Sequence, residues 1–469
     1  MVAPISPSEP RAGVALLLDA SESRVLLRAC PRGWRLPRVQ LPDSAAWWEM
    51  SETIAAQVRS DLGLVGFVVR ALEGRPRLGV AHPALGFVFE GYDLEWMRPP
   101  GTDWFGLDEL SNLALVDEDD RELCELLLAS SDAPPEPAWL RHGWVSSALS
   151  WAEAQLQDSP LSARDAPLKL VRQLRVSSLG SLLRVPLSHG SPPSGDRSGA
   201  QRPSVGYLKA CGQLGLQEPQ VHAWLARHYP ALVAPVLACD EKRGLLLSAD
   251  VGQSGRVDPH QVEWLLRELA EMQIGSARVL DELADMGCPD RSPTAMLAEL
   301  PAIPDRMAAL VAEIRPSEAV DRDEIVRLCE RVRDALQELL HGEVPLALGH
   351  PNLTVHTVVS DGSDARITDW RGVIAHPFLS PGPLVEAMQV HGSASRVCGV
   401  YLDTFASFAS EPRLTELYRH AQVARDLVCF LDLEARLPEL RTRAERASAL
   451  RAIRGLLQRS IDLSVPLAT

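Results

Sequence analysis

The spacing of apolar residues changes once along this chain, near residue 258, and that change limits the folds open to it. Before it lie short runs of branched and aromatic residues set off by turn formers, the pattern of strands. Residues 14–18, 24–27, 65–72 and 85–89 form one such set, and 168–176, 181–186, 205–210 and 244–249 a second. Two helices interrupt them, Ser51–Leu62 with Ser51 as its expected N-cap, and residues 218–228. Beyond the change, Val262, Leu265, Leu266, Leu269 and Met272 recur at i, i+3, i+4 and i+7, as do Ile325, Leu328, Val332 and Leu336. Further helices are expected over residues 395–408, 414–433 and 440–460. The expected class is α+β, sheets first and helices after.

With 469 residues the chain exceeds one ordinary domain, and composition breaks divide it. Residues 130–137 hold adjacent prolines and read as a connector. Residues 188–204 are a Ser/Gly/Pro stretch, read as a flexible loop, and 248–255 read as a hinge. The expected partition is an α/β domain over 1–135, a connector helix over 136–165, a small sheet lobe over 166–252 and a helical lobe over 253–469. Trp47, Trp48, Trp96 and Trp104 read as core and interface anchors, and Trp139 as an anchor in the connector.

Apolar residues make up 46% and charged residues 23%, the composition of a globular chain. A formal charge of -15 excludes the basic footprint of a nucleic-acid binder. Eight cysteines lie scattered without a CxxC pair, so neither zinc nor a disulfide framework is indicated. No apolar run approaches the roughly 18 residues of a membrane span, and a cytoplasmic protein is expected. Nothing in the sequence specifies an oligomeric state. Lysine is rare: Lys169, Lys209 and Lys242 stand among abundant arginines, so each invites a specific question about a compact ammonium.

The chemistry concentrates in His350-Pro351-Asn352-Leu353-Thr354-Val355-His356-Thr357, followed by Ile367-Thr368-Asp369-Trp370. In kinase chemistry a loop Asp accepts the acceptor hydroxyl's proton, an Asn a few residues on binds metal, and a later Asp holds Mg²⁺ on the phosphates. Here His350 stands in the bracing position and Asp369 in that of the later metal carboxylate. Asn352 replaces the base, and Thr357, with one oxygen, is a weaker metal ligand than the Asn it replaces. His356 reads as a solvated loop residue. An amide accepts no proton at neutral pH, and general-base catalysis is worth about 10²–10⁴-fold.

Together with Val205-Gly206-Tyr207-Leu208-Lys209-Ala210, residues 218–240, the strand 243–247 and Ala375-His376-Pro377-Phe378-Leu379, these motifs resemble the aminoglycoside phosphotransferase and choline-kinase-like family. The likeness spans roughly residues 166–380. That family's brace reads H-G-D-L-H-x-x-N followed by I-D-W. The resemblance implies a two-lobed kinase-like fold and ATP/Mg²⁺-dependent transfer of a phosphoryl group to a hydroxyl of a small molecule. It places Lys209 on the α- and β-phosphates, with Glu218 as its partner. The turn Ser177-Ser178-Leu179-Gly180 falls where a loop covers the phosphates, with Ser178 and Gly180 as candidate contacts, although an ordinary hairpin turn fits equally. Two altered positions in one loop make a nucleotide-binding pseudokinase, with a regulatory, ligand-sensing or scaffold role, the alternative.

Residues 10–125 resemble a Nudix-type α/β domain, but the helix that would carry several Mg²⁺-binding glutamates retains only Asp61. One carboxylate does not make the cage, and Gly63 reads equally as a helix C-cap. Nudix hydrolysis is therefore not expected.

Overall fold

The computed structural model describes residues 11–19, 23–41, 46–75, 84–92, 96–128, 137–156, 161–162, 170–189, 205–255, 257–314 and 322–462. Most of the expected connector 130–137 and of the expected flexible loop 188–204 lies outside the described residues. The architecture is mixed α+β. The chain separates into two compact units, Met1–Gly212 with Glu439–Glu445, and Gln213–Pro438 with Arg446–Thr469.

In the first unit, strand Arg11–Leu17 pairs antiparallel with Arg38–Leu41 and parallel with Leu85–Gly91, which pairs antiparallel with Gly66–Glu73. Val14 to Leu17 are all buried, so both faces of this sheet are covered and the strand reads as an unbroken apolar run. A second sheet sets Arg24–Cys30 between Gly33–Arg35 and Thr102–Gly106. Helix Glu118–Leu128 adds Leu123, Cys124 and Leu127 to a core shared with Val14, Leu16, Val25 and Val88. Helix Ser51–Leu62 buries Ile54, Val58 and Leu62, spaced four apart on one face, and stops at Gly63, whose φ of 68° is the left-handed cap.

Ser51 is not that helix's N-cap. Met50 holds the position without a side-chain bond, and the Ser51 hydroxyl donates instead to the carbonyl of Gln173, 3.0 Å away. The Gln173 side chain then completes a backbone-like pair with Val68, both bonds 2.9 Å. These contacts join the helix to a further antiparallel set, Arg172–Ser177, Gly180–Pro186 and Val205–Cys211. Trp139 anchors the connector as expected, its indole N–H donating to the Ser177 carbonyl at 2.8 Å.

The second unit begins with helix Gln217–His228 and the hairpin Val236–Asp240 and Leu245–Ala249. Helix Pro259–Ser276 starts cleanly, because Asp258 accepts from the backbone N–H groups of His260 and Gln261 and proline follows at the first position. Helix Ala394–Asp403, in place of the longer helix expected over 395–408, packs on it, and the long helices Arg322–Leu340 and Glu411–Arg436 pack on each other. An aromatic cluster fills the core around Phe378, which meets Phe405 edge-on at 5.0 Å. Two three-stranded sheets were not anticipated. In one, Val373–Ala375 pairs with Ala347–Gly349 and Asp290–Arg291; in the other, Val358–Ser360 pairs with Ala365–Ile367 and Gln253–Ser254. Three-residue strands carry too little periodicity to be seen in a sequence. Among the described residues no helix is long and apolar enough to cross a membrane.

Candidate functional site

The two small sheets of the second unit are joined by two loops that run in opposite directions. Residues 350–357 leave the strand Ala347–Gly349 and reach Val358–Ser360, and residues 368–372 return from Ala365–Ile367 to Val373–Ala375. This there-and-back course brings His350 and Asp369 together although 18 residues separate His350 from Thr368.

His350 holds the loops in register. Its backbone N–H donates to the Ser380 hydroxyl at 3.1 Å, and its ring bridges the Asn352 N–H and the Thr368 carbonyl. The Asn352 N–H donates to Nδ1 at 3.2 Å, so the proton resides on Nε2, which donates to Thr368 at 3.1 Å. The ring is 1% exposed and stands edge-on to the fully buried Trp370 at 5.1 Å. Burial depresses its pKa to about 4, opposed by the Thr368 carbonyl and by the charges of Asp369 and Glu218, so the ring is neutral near pH 7. Glu218, 2% exposed on helix Gln217–His228, thus belongs to the electrostatic surroundings of the loop pair.

Asp369 is half-buried and has a φ of 58°; among the described residues it is the one non-glycine residue with positive φ. A left-handed conformation costs an L-residue about 1–2 kcal/mol, less for Asp, and such strain persists where the surroundings over-determine it. The surroundings here are His350 on the Thr368 carbonyl before it and Trp370 locked in the core after it.

Asn352 is exposed at the tip of the loop, and the preceding Pro351 carbonyl accepts from the Cys429 thiol at 3.2 Å. Thr357 is buried and its hydroxyl closes a turn: it donates to the Thr354 carbonyl at 2.9 Å and accepts from the Thr354 N–H at 3.0 Å. The Thr357 carbonyl accepts the Thr368 N–H and hydroxyl, tying the two loops a second time. His356 is exposed, as expected. Arg371, two residues past Asp369, pairs with the half-buried Asp432 at 3.1 Å, and Asp432 also holds Arg436 at 2.7 Å. Burial raises the Asp432 pKa against the pull of Arg371 and Arg291. The Asp432–Arg436 spacing is visible in sequence as an i, i+4 pair; the Arg371 contact is not.

The remaining candidates lie in the first unit. Lys209 is half-buried on strand Val205–Cys211, opposite Leu182. Ser178 is 5% exposed, and both its donors are engaged by Glu445: the N–H at 2.7 Å and the hydroxyl at 2.6 Å. Gly180 is required by close approach, since a Cβ there would stand 2.4 Å from the Ala210 carbonyl oxygen. The turn is thus a buried hairpin whose anion partner is a carboxylate of the chain itself, and no local sequence signal points to Glu445. Asp61 of the N-terminal helix is paired with Arg28 at 2.8 Å.

Among the described residues no three His, Cys, Asp or Glu side chains gather to hold a metal. A Mg²⁺ at the loop pair would have Asp369 as its protein carboxylate. That is consistent with Mg²⁺ bound through one or two carboxylates, with phosphate and water supplying the other oxygens.

No family model matches the sequence, and no curated protein matches it. Solved structures similar to the chain include a choline/ethanolamine kinase family protein from Mesorhizobium loti, 15% identical over 67% of this chain and 98% of that one, TM-score 0.38. An ethanolamine kinase from Plasmodium vivax is 8% identical over 76% of this chain and 93% of its own, TM-score 0.44. A spectinomycin phosphotransferase solved with ADP and spectinomycin is 10% identical over 62% and 92%, TM-score 0.40.

Proposed function

We propose that this chain is a small-molecule phosphotransferase of the aminoglycoside phosphotransferase-like kind. It binds ATP with Mg²⁺ at Asp369 and takes a small hydroxylated acceptor. The observation that carries the reading is Asp369 itself, an anion kept in a strained backbone conformation between a braced carbonyl and a core tryptophan. Positioning and electrostatics carry most of phosphoryl transfer, so loss of a loop carboxylate weakens such a site without dismantling it. Residues 1–135 are then a non-hydrolytic module.

A nucleotide-binding pseudokinase is the second reading. It is favoured by the exposed amide of Asn352 at the base position and by the Thr357 hydroxyl being engaged within its own turn. Thermal unfolding with ATP, with and without Mg²⁺, tests both readings. Stabilisation is expected only with the metal and is expected to vanish in Asp369→Asn. Asn352→Asp then separates them: a rise of about 10²–10⁴-fold in ATP turnover with a hydroxylated acceptor means that the base alone is missing. Absence of any Mg²⁺-dependent nucleotide binding removes both.

A further inference from the structure

Asp432 sits beside both loops of the candidate site, surrounded by arginine. It lies three positions beyond Cys429 on helix Glu411–Arg436, and the Cys429 thiol reaches the carbonyl of Pro351, next to Asn352, at 3.2 Å. From the returning loop, Arg371 gives its Nη1 to both Asp432 oxygens, at 3.3 and 3.1 Å. Arg436, one turn further along the helix, gives Nη2 at 2.7 Å. Arg291, on the short strand Asp290–Arg291, is a third positive charge acting on the same carboxylate. We propose that this cluster receives an anionic group, a carboxylate or a phosphate, carried by the hydroxylated acceptor. The role as an acceptor subsite rests on the phosphotransferase reading, to which it adds the charge class of the substrate.

Three guanidinium groups share one carboxylate here, and the acids nearest to it along the helix are committed elsewhere. Glu434 is held by Arg306, and Asp426 by the Ser460 hydroxyl and Arg425. The side chains of Arg371, Asp432 and Arg436 are 18, 25 and 17% exposed. That is little enough for water to compensate the excess positive charge poorly, and enough for a ligand to reach it. Partly desolvated charge is costly unless an opposite charge answers it. The bonds to Asp432 engage one nitrogen each of Arg371 and Arg436, and Arg291 gives its Nη1 to the Asp290 carbonyl. A guanidinium carries five N–H groups in a planar fork, which matches the oxygens of a carboxylate or phosphate two at a time. An anion held by these forks anchors one end of a small molecule beside the loop that bears Asn352. Asp432 is then the built-in competitor, since an arriving anion must share its guanidinium partners.

The test is calorimetric titration of the full chain without nucleotide. Gluconate is set against glucitol, and glycerol 3-phosphate against glycerol, so the two arms tell carboxylate from phosphate. At least one anion should bind, and its neutral counterpart should not. Arg436→Gln leaves the Arg371–Asp432 pair in place and should weaken anion binding tenfold or more. Asp432→Asn should instead strengthen it by about tenfold, whereas an ion pair that only holds the fold together predicts loss or no change. Should Asp432→Asn fail to fold, Arg436→Gln and Arg291→Gln decide between them. Mg²⁺-dependent ATP binding, followed in the same proteins, should survive Arg436→Gln. Its absence alongside retained anion binding removes the phosphotransferase reading and with it the acceptor role. Its presence without binding of either anion overturns the subsite alone, as do equal binding of the neutral counterparts or insensitivity to Arg436→Gln.

Discussion

Replacing His350 by Gln should remove a measurable part of the second unit's acid sensitivity. The imidazole is 1% exposed, and burial holds its folded pKa near 4 against 6.5 for an ordinary histidine. Between those values the unfolded chain carries a proton that the folded chain does not. The stability due to the neutral ring is therefore complete above the unfolded value and is lost as pH falls towards the folded one. From about pH 7 to about pH 5 this ring alone should cost about 2 kcal/mol. Denaturant unfolding, followed by hydrogen exchange at amides of the second unit, measures the loss. Comparing the pH dependence of wild type and variant cancels every other titrating group. The substitution also breaks the bridge between the Asn352 N–H and the Thr368 carbonyl, at a cost near pH 7 of about 1–3 kcal/mol. The variant should start weaker and fall less steeply. An identical slope in both proteins would refute the assignment of a neutral, buried ring, whatever the loss near pH 7.

Asp369→Ala puts a residue with no local hydrogen-bonding side chain at a φ of 58°, and unfolding should be easier by about 1 kcal/mol, read from the denaturant midpoint. Asp369→Asn, which tolerates that conformation, should be nearly neutral by the same measure. Gly180→Ala would force a Cβ to 2.4 Å from the Ala210 carbonyl oxygen, and a loss of about 1–3 kcal/mol is expected from chemical denaturation of the first unit. Glu445→Ala leaves the Ser178 N–H and hydroxyl without their acceptor, so the Ser178 amide should exchange with solvent at least tenfold faster, at a cost of about 1–3 kcal/mol.

What could be read in the sequence followed the range of the responsible interactions. The strands Arg24–Cys30, Gly66–Glu73 and Val205–Cys211 were visible because each is a run whose own side chains announce it. The end of helix Ser51–Leu62 was visible because Gly63 is a local cap. Its start at Ser51 was equally visible, but the N-cap is Met50, because the Ser51 hydroxyl serves a carbonyl 122 positions away, which no capping rule detects. The same limit governs the site. The spacing of His350, Asp369 and Trp370 marks the loop pair, but the left-handed backbone of Asp369 and the Arg371–Asp432 pairing arise only once the sheets are folded. Ser178 and Gly180 look like ligand contacts in a linear reading, because the Glu445 carboxylate and the Ala210 carbonyl that occupy them are remote in sequence.

The Ser178–Glu445 bond spans 267 residues, and it bears on how the protein emerges from the ribosome. The first unit's sheets can assemble early during synthesis, but the hairpin amide at Ser178 must wait for nearly the whole polypeptide before it meets its acceptor. Closing so long a loop is entropically slow, and the nascent first unit is meanwhile an incomplete folding intermediate. Messages truncated ahead of codon 439 should accordingly yield chains that proteases clip at this hairpin, even where the preceding sheets have formed.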